Sequence, residues 1–200
     1  MAVGTRDIQL LLDEAAIRRL LARYSRAVDR GDLDALRDVY HADATDDHGP
    51  LYSGDIDGFI EVIRASLALG TVTCTRHCVS SVSIAVDGDV AVAESYFDAY
   101  HRRRVDDRWV DELAAGRYLD RLERRDGEWR IAARRVVWDR VHSAAGMSFP
   151  WEPEHGGYQA GSRSGADASV AWFRDWGPGG IVARGISDSS DASDLQENTA

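Results

Sequence analysis

Apolar residues recur at helical spacing from Ala15 to Asp29, where positions i, i+3, i+4 and i+7 fall on one face of a helix. The members of this face are Ile17, Leu20, Leu21, Tyr24 and Val28. Gly31 follows as the left-handed residue on which many helices end. The pattern predicts an amphipathic first helix that buries one face and ends at a tight corner.

Two further helices are predicted before the sequence pattern changes from helical spacing to strand-like alternation. Asp32 can cap a short helix, Leu33–Tyr40, because its side chain can accept a hydrogen bond from the first turn. A polar loop is expected from His41 to Gly54. Helical spacing then returns between Asp55, the expected cap, and Gly70, the expected stop.

Antiparallel strands are predicted from Thr71 onward, because β-branched residues there alternate with polar ones. One long hairpin turns at Asp87-Gly88 and returns over Val90–Tyr100, and a second pairs Trp109–Arg124 with Trp129–His142. Simple alternation places one set of last-strand residues on a shared face: Trp129, Ile131, Ala133, Arg135 and Val137. Helices followed by antiparallel strands indicate the α+β class, with the sheet curled around the first helix.

The composition divides the chain into three parts. Residues 1–145 are predicted to form one domain, since a single core needs roughly 100 to 150 residues. Residues 146–184 are richer in Gly, Ser and Pro, and their aromatic residues between Phe149 and Trp176 can close the pocket or swap onto a neighbouring copy. Residues 185–200 have almost no bulky apolar side chain and are predicted to be a disordered tail.

The charge of the chain limits its partners. Its 24 basic residues are all arginines, and 34 acidic residues give a formal charge of −10. This balance argues against a basic face for nucleic acid or an anionic membrane. No apolar run approaches the roughly 18 residues of a membrane span, and the first residues lack a signal-peptide pattern. A cytoplasmic protein is expected.

The two cysteines are predicted to be reduced. Cys74 and Cys78 would be about 13 Å apart along one strand, whereas a disulfide needs roughly 4.4 to 6.8 Å between its Cα atoms. Free cysteines are usually buried, so we expect both in the core. The spacings typical of zinc ligands are missing from the sequence, so no metal is expected.

The pair that suggests chemistry is Asp29, at the end of the first helix, and His77, 48 residues further along in the β-rich run Thr71–Val79. A carboxylate held against an imidazole fixes the ring's tautomer and stabilises its protonated form, so the other ring nitrogen becomes a general base near neutral pH. Alternation alone places His77 opposite to the apolar residues from Val82 to Val86. The sequence therefore leaves open which face of the sheet His77 occupies.

Several short motifs occur in a characteristic order. They are Tyr24-x-x-x-x-Asp29-Arg30-Gly31-Asp32, Thr75-Arg76-His77, Gly116-Arg117-Tyr118 and Asp126-Gly127-Glu128-Trp129-Arg130-Ile131. Over about Leu11–His142, the chain resembles the SnoaL-like branch of the nuclear transport factor 2 superfamily. The resemblance implies a cone-shaped α+β barrel in which three helices and a strongly curved, mainly antiparallel sheet enclose one apolar pocket. It also implies a homo-oligomer, a dimer or a trimer, formed through the outer face of the sheet.

The resemblance further implies an activity, because Asp29 and His77 match the dyad of cofactor-free dehydratases and dehydrochlorinases in this branch. The expected function is a dehydratase-type elimination on a hydrophobic cyclic molecule such as a steroid, polyketide or terpenoid. His77 would be the base and Asp29 its partner, while the Tyr24 phenol would bind a carbonyl or the developing oxyanion.

The remaining candidates are substrate contacts. Arg135 has apolar neighbours and cannot be buried unpaired, so it either pairs with Asp29 or Asp47 or meets the substrate. Arg140 is an equal candidate for the arginine that related enzymes carry on the last strand, and this arginine would have a catalytic role because it stabilises the enolate together with Tyr24.

His101 roughly overlies a second histidine of the related dehydratases. Tyr118 stands where they have an asparagine, and Asp46-Asp47-His48 stands where a tyrosine holds their catalytic water, so Asp47 is a candidate contact. The comparison is with scytalone dehydratase, and these departures from it argue against scytalone as the substrate.

Two alternative functions stay open: an isomerase or cyclase that uses the same dyad, and a ligand-binding subunit of the dioxygenase small-subunit type.

Overall fold

The computed structural model describes residues 4–145 and 162–176. The elements in chain order are α1 Thr5–Arg30, α2 Leu33–Asp38, β1 Tyr40–Asp47, a 3-10 turn Gly49–Leu51, β2 Ser53–Asp55, α3 Ile56–Leu69, β3 Val72–Asp87, β4 Val90–Val105, β5 Arg108–Arg125, β6 Glu128–Ala145 and α4 Ala168–Trp176. The strands form one curved, unclosed sheet in the order β2-β1-β6-β5-β4-β3. Neighbouring strands in this sheet are antiparallel, except that β1 and β6 run parallel to each other. The predicted α+β class is confirmed.

Helix α1 packs its apolar face against the concave side of the sheet. The buried residues of this face include Ile17, Leu20, Leu21, Tyr24, Ala27 and Val28. Near the amino-terminal end of this face, buried Asp13 accepts hydrogen bonds from the Trp129 indole at 3.0 Å and from Arg124 at 2.7 Å. These bonds tie the helix to β5 and β6. The helix begins at Thr5, earlier than the predicted Ala15.

The corner after α1 forms as predicted. Gly31 has φ 64°, and the N–H groups of Gly31 and Asp32 donate to the carbonyls of Val28 and Ala27 at 3.2 and 2.9 Å. This pair of hydrogen bonds is the Schellman motif, which ends a helix sharply. The Asp32 side chain then caps α2. Asp29, in the last turn of α1, is thereby held beside β3.

The predicted polar loop from His41 to Gly54 is wrong in its first half. Helix α2 ends at Asp38, and Tyr40–Asp47 is a strand that pairs in parallel with β6. The strand was hidden because one of its inward residues is Asp46, which is wholly buried and hydrogen-bonded rather than apolar. A buried charge at an inward position removes the alternation by which strands are recognised.

An extra residue in β3 decides where His77 points. Ser81 has φ 47°, and the register with β4 shifts between Ser80 and Ser83. One inserted residue exchanges the inward-facing and outward-facing positions in the rest of the strand. His77 therefore shares the inner face with the apolar residues from Val82 to Val86, and the prediction that they lie on opposite faces is wrong.

The cysteines lie on the outer face of the same strand. Cys74 and Cys78 are unpaired, as predicted, but exposed. They alternate with Thr75 and His77, which face inward, so strand geometry directs both thiols away from the core. The prediction that they are buried is wrong.

Two further extra residues occur in β6. Arg121 pairs with Ala133 while Leu122 pairs with Ile131, and Ala115 pairs with Arg140 while Gly116 pairs with Trp138. Ala132 and Asp139 are thus the inserted residues. Beyond Ile131 the inward residues are Arg134, Val136 and Trp138. The predicted shared face is correct for Trp129 and Ile131 and wrong for Ala133, Arg135 and Val137.

A carboxy-terminal segment, residues 162–176, docks on the end of α1. Arg30 contacts Asp167 at 3.0 Å and donates to the Ser169 hydroxyl at 3.3 Å. The predicted aromatic flap is described only for this part; its remainder and the predicted tail, residues 185–200, lie outside the described residues. Within the described ranges, none of the helices combines the length and apolarity needed to cross a bilayer.

Gly116 is the position in the sheet least tolerant of a side chain. A Cβ atom there would lie well inside van der Waals contact of the Val137 carbonyl oxygen and 3.0 Å from the Phe97 ring. We predict that Gly116→Ala lowers the free energy of unfolding by about 2 kcal/mol or more, because backbone must move to admit the methyl group. Urea unfolding measures this change. Gly165→Ala, where a Cβ meets open space, is the matched control, and equal stability of the two variants would contradict the prediction.

Candidate active site

A cavity of about 310 Å³ opens between the concave face of the sheet, the end of α1 and α3. Its walls are largely aromatic, with rings from Tyr24, Tyr52, Phe59, Phe97, Tyr118 and Trp138. The polar groups that reach it include His48, Thr75, His77, His101, Arg103, Glu112 and Arg163. An apolar hollow with a few converging polar groups is typical of small-molecule sites.

Asp29 and His77 meet at one wall of this cavity. The His77 Nδ1 lies 2.7 Å from one carboxylate oxygen of Asp29, and the His77 backbone N–H donates to the other oxygen at 2.9 Å. The two bonds fix both the position and the plane of the ring. Among the described residues, none hydrogen-bonds the Nε2 atom, so this nitrogen is available to a molecule in the cavity.

The Asp29 carboxylate is held in its charged form. Burial favours a higher pKa, but the hydrogen bond from the His77 ring, the charge of that ring and the His77 backbone N–H outweigh it and lower the pKa of Asp29 below its ordinary value. A carboxylate that stays ionised can hold the imidazole in one tautomer and compensate a proton taken up at Nε2.

A second histidine lies beside the first. The rings of His101 and His77 are 5.3 Å apart between centroids, and His101 Nδ1 is 3.5 Å from Glu112. Burial and the neighbouring His77 lower the pKa of His101 to about 4, although Glu112 acts in the opposite direction. His101 is therefore neutral at physiological pH, and it can donate or accept a hydrogen bond without adding charge beside His77.

The floor of the cavity covers a buried ion pair. Arg134 makes two hydrogen bonds to Asp120, at 2.7 and 2.8 Å, and its guanidinium lies 4.0 and 4.2 Å from the ring centres of Tyr24 and Tyr118. Burial is the main reason that the pKa of Tyr24 rises to about 12. The Tyr24 phenol stays protonated and can act as a hydrogen-bond donor.

Three predicted contacts lie away from the cavity. Arg135 is 72% exposed and pairs at 3.4 Å with Asp47, which was one of its predicted partners. Arg140 follows the second inserted residue of β6 and lines an outer groove with Arg76 and Asp98. The predictions that Arg135, Arg140 and Asp47 contact the substrate are therefore wrong in placement, whereas Tyr24, His101 and Tyr118 do line the cavity.

Sequence reasoning missed several polar groups that the structure places in or under the cavity. Arg134 was missed because the inserted Ala132 exchanges it with Arg135. Arg163 comes from the carboxy-terminal segment and donates to the carbonyls of Val28 and Val72 at 3.3 and 3.4 Å. Its position had no local sequence signal. His48 had one, since it belongs to the motif Asp46-Asp47-His48, but the sequence favoured Asp47 as the contact from this motif.

No three His, Cys, Asp or Glu side chains are arranged to hold a metal ion within residues 4–145 and 162–176. The polar groups that reach the cavity include an acid–imidazole pair, a neutral imidazole, phenols and guanidinium groups. Such groups can move a proton and stabilise a negative oxygen in an apolar setting.

Comparison with known proteins gives one family and a set of similar folds. The model of the SnoaL-like domain matches residues 9–135. No curated protein matches the chain. The crystal structure of a hexachlorocyclohexane dehydrochlorinase, LinA-type3 from Novosphingobium barchaimii, has a TM-score of 0.63 and 18% identity, and the match covers 73% of this chain and 99% of that one.

Two other solved structures extend the comparison. A protein assigned as a scytalone dehydratase from Novosphingobium aromaticivorans has a TM-score of 0.58 and 22% identity, with 71% of this chain and 96% of that one covered. A protein of unknown function from Mycobacterium tuberculosis has a TM-score of 0.57 and 26% identity, with 92% and 94% covered. The first of these likenesses, like that to LinA-type3, shows the fold alone.

The charged state of Asp29 predicts a specific acid response. Its pKa is lower in the folded protein than the ordinary 3.8, so the unfolded chain takes up the proton first, and the stabilisation from ionised Asp29 is lost as pH falls through this range. We predict that the stability advantage of wild type over Asp29→Asn shrinks as the pH falls below about pH 4. Urea unfolding across this range measures it. A difference that stays constant down to about pH 3 would contradict the assignment.

Proposed function

The chain belongs to the SnoaL-like domain family, and on this premise we propose that it is a cofactor-independent lyase that eliminates water from a hydrophobic cyclic molecule, such as a small polyketide or terpenoid. The observation that carries the proposal is the His77 ring. It lines an apolar cavity with Nδ1 bound to Asp29 at 2.7 Å and Nε2 unpartnered among the described residues.

In this proposal, His77 Nε2 removes a proton from the carbon next to a carbonyl or enone. The C–H electron pair moves into the substrate to form an enolate, and the imidazolium is compensated by Asp29. The reaction is completed when the enolate re-forms its carbonyl and the hydroxyl on the neighbouring carbon leaves. Exclusion of water from an apolar cavity strengthens the contacts that stabilise these charges.

The enolate oxygen needs hydrogen-bond donors, and we propose two of the groups that line the cavity for this role. The Tyr24 phenol remains protonated. Arg163 supplies positive charge in place of the expected Arg135 or Arg140, since it lines the cavity and lies close enough to Asp29 for their charges to interact. A donor aimed at an oxyanion commonly contributes a factor of about a hundred or more to the rate.

The size of the cavity narrows the substrate class. At about 310 Å³ it lies at the lower end of the roughly 300 to 1,000 Å³ typical of small-molecule sites. This favours a compact substrate of one or two rings over a four-ring steroid. The names of similar structures include a dehydrochlorinase and a dehydratase, and elimination is common to both activities.

We also propose that the chain forms a homo-oligomer through the outer face of the sheet. This face exposes several large apolar side chains, namely Val90, Val92, Tyr96 and Leu113. A location in the cytoplasm stays a prediction.

The base is tested with a β-hydroxycyclohexanone in D₂O. We predict that His77→Ala and Asp29→Asn slow both the exchange of the proton next to the carbonyl and the release of the enone by about a hundredfold or more. Proton NMR follows the first process and ultraviolet absorbance the second. His142→Gln, at an exposed position of β6, is the control and should retain the wild-type rates.

The outcomes of this experiment separate the alternatives. Near-normal exchange in folded His77→Ala would refute the assignment of the base. Exchange or a double-bond shift without loss of mass would favour an isomerase. Binding of the ketone by wild type without exchange would favour a ligand-binding protein.

Arg163 is tested on the same substrate. We predict that Arg163→Met lowers kcat/KM for enone formation by about tenfold to a hundredfold, because the enolate loses a cationic donor. Arg108→Met, at the exposed first residue of β5, should have no effect. Equal activity of the two variants would remove Arg163 from the mechanism.

A further inference from the structure

A second aspartate–histidine pair faces the same cavity. His48, which directly follows β1, has its Nδ1 hydrogen-bonded to a carboxylate oxygen of Asp46, and it lines the cavity. The Asp46 side chain is 0% exposed and that of His48 is 12% exposed. The arrangement repeats the acid–imidazole contact of Asp29 and His77 with residues from different elements.

The His48 ring is fixed from several sides. Its backbone N–H donates to the Tyr52 carbonyl at 2.7 Å, and its own carbonyl accepts from the Trp138 indole at 3.3 Å. The ring stacks on Phe59 with centroids 4.7 Å apart and planes 15° from parallel. With Nδ1 bound to Asp46, Nε2 is the nitrogen left to the cavity, and no described residue hydrogen-bonds it.

His48 is the group placed to compensate the buried Asp46 carboxylate. Besides His48, Asp46 accepts a hydrogen bond only from the neutral Tyr40 hydroxyl, at 2.8 Å, within the described part of the chain. The buried cation Arg134 lies opposite Asp46 in the register of β1 with β6, but it directs two hydrogen bonds to Asp120 and, among the described residues, none to Asp46. A carboxylate taken wholly out of water is costly unless a positive group compensates it. His48 is the group in contact that can do so.

We propose that His48, positioned by Asp46, is the general acid that protonates the leaving hydroxyl. This role rests on the elimination proposed above. The C–O bond breaks, its electron pair leaves with the oxygen, and the proton on His48 Nε2 transfers to that oxygen to give water. His77 has meanwhile taken the carbon-bound proton, so one proton is gained and one is lost by the protein, and exchange with solvent restores both rings. Asp46 acts through His48 and is a positioning residue.

Hydroxide is a poor leaving group, which gives the proposal a selective test. A p-nitrophenoxide leaves as a stable anion and needs no proton. The two probes are therefore a β-hydroxycyclohexanone and the cyclohexanone that carries p-nitrophenoxy at the same carbon. His48→Gln and Asp46→Asn are compared with His142→Gln, and α-proton exchange in D₂O reports independently on His77.

We expect His48→Gln to slow water elimination by about a hundredfold or more, to slow p-nitrophenoxide release by less than about threefold, and to leave α-proton exchange intact. Asp46→Asn should show the same dependence on the leaving group. Retained exchange also establishes that the variants are folded, and circular dichroism confirms this.

Equal losses on both probes would mean that the pair only supports the fold, and unchanged rates on both would mean that it has no role; either result overturns the proposal. Failure of the elimination itself is distinct, because wild type would then exchange no α-proton or His77→Ala would exchange it normally.

Discussion

The site depends on where the strands gain a residue. Alternation forces successive side chains to opposite faces of a sheet, so an inward His77 without the Ser81 bulge would turn the apolar residues from Val82 to Val86 toward solvent. Full burial of one such side chain contributes about 1.5 to 3 kcal/mol, whereas a left-handed serine costs about 1 to 2 kcal/mol. The side chains concerned are Val82, Ile84 and Val86, which are partly buried. The summed free energy of their burial still exceeds the cost of the left-handed serine. The bulge lets one strand serve both the core and the cavity.

An inserted residue in β6 likewise decides which arginine lies under the cavity. The inserted Ala132 turns Arg134 inward and Arg135 outward. Inward, Arg134 finds Asp120 and lies between two phenol rings. Loss of one partner from a buried ion pair typically costs about 3 to 5 kcal/mol, so this floor resists rearrangement. A rigid floor keeps the Tyr24 phenol oriented, which is what preorganised stabilisation of an oxyanion requires.

The sequence predicted what periodicity and spacing encode. The buried face of α1, the corner at Gly31 and the two long hairpins are local patterns, and the structure follows them. The contact of Asp29 with His77 was predicted from the order of motifs. The inward arginine was not, because a one-residue insertion leaves no compositional mark. Strand β1 was missed because Asp46 occupies an inward position, and Arg163 because tertiary docking alone brings it to the cavity.

The two aspartates differ in what compensates their charges, and this difference is the basis of the opposite roles that we propose for their histidines. Asp29 is partly exposed, receives the His77 backbone N–H and feels the positive charge of Arg163. These contacts compensate the Asp29 charge in addition to the His77 ring, which suits the role of base that we propose for His77. Asp46 is fully buried and, among the described residues, accepts a hydrogen bond only from the Tyr40 hydroxyl besides that with His48. An elimination needs one ring that lacks a proton and one that holds a proton, and the environments of these two carboxylates are suited to that division.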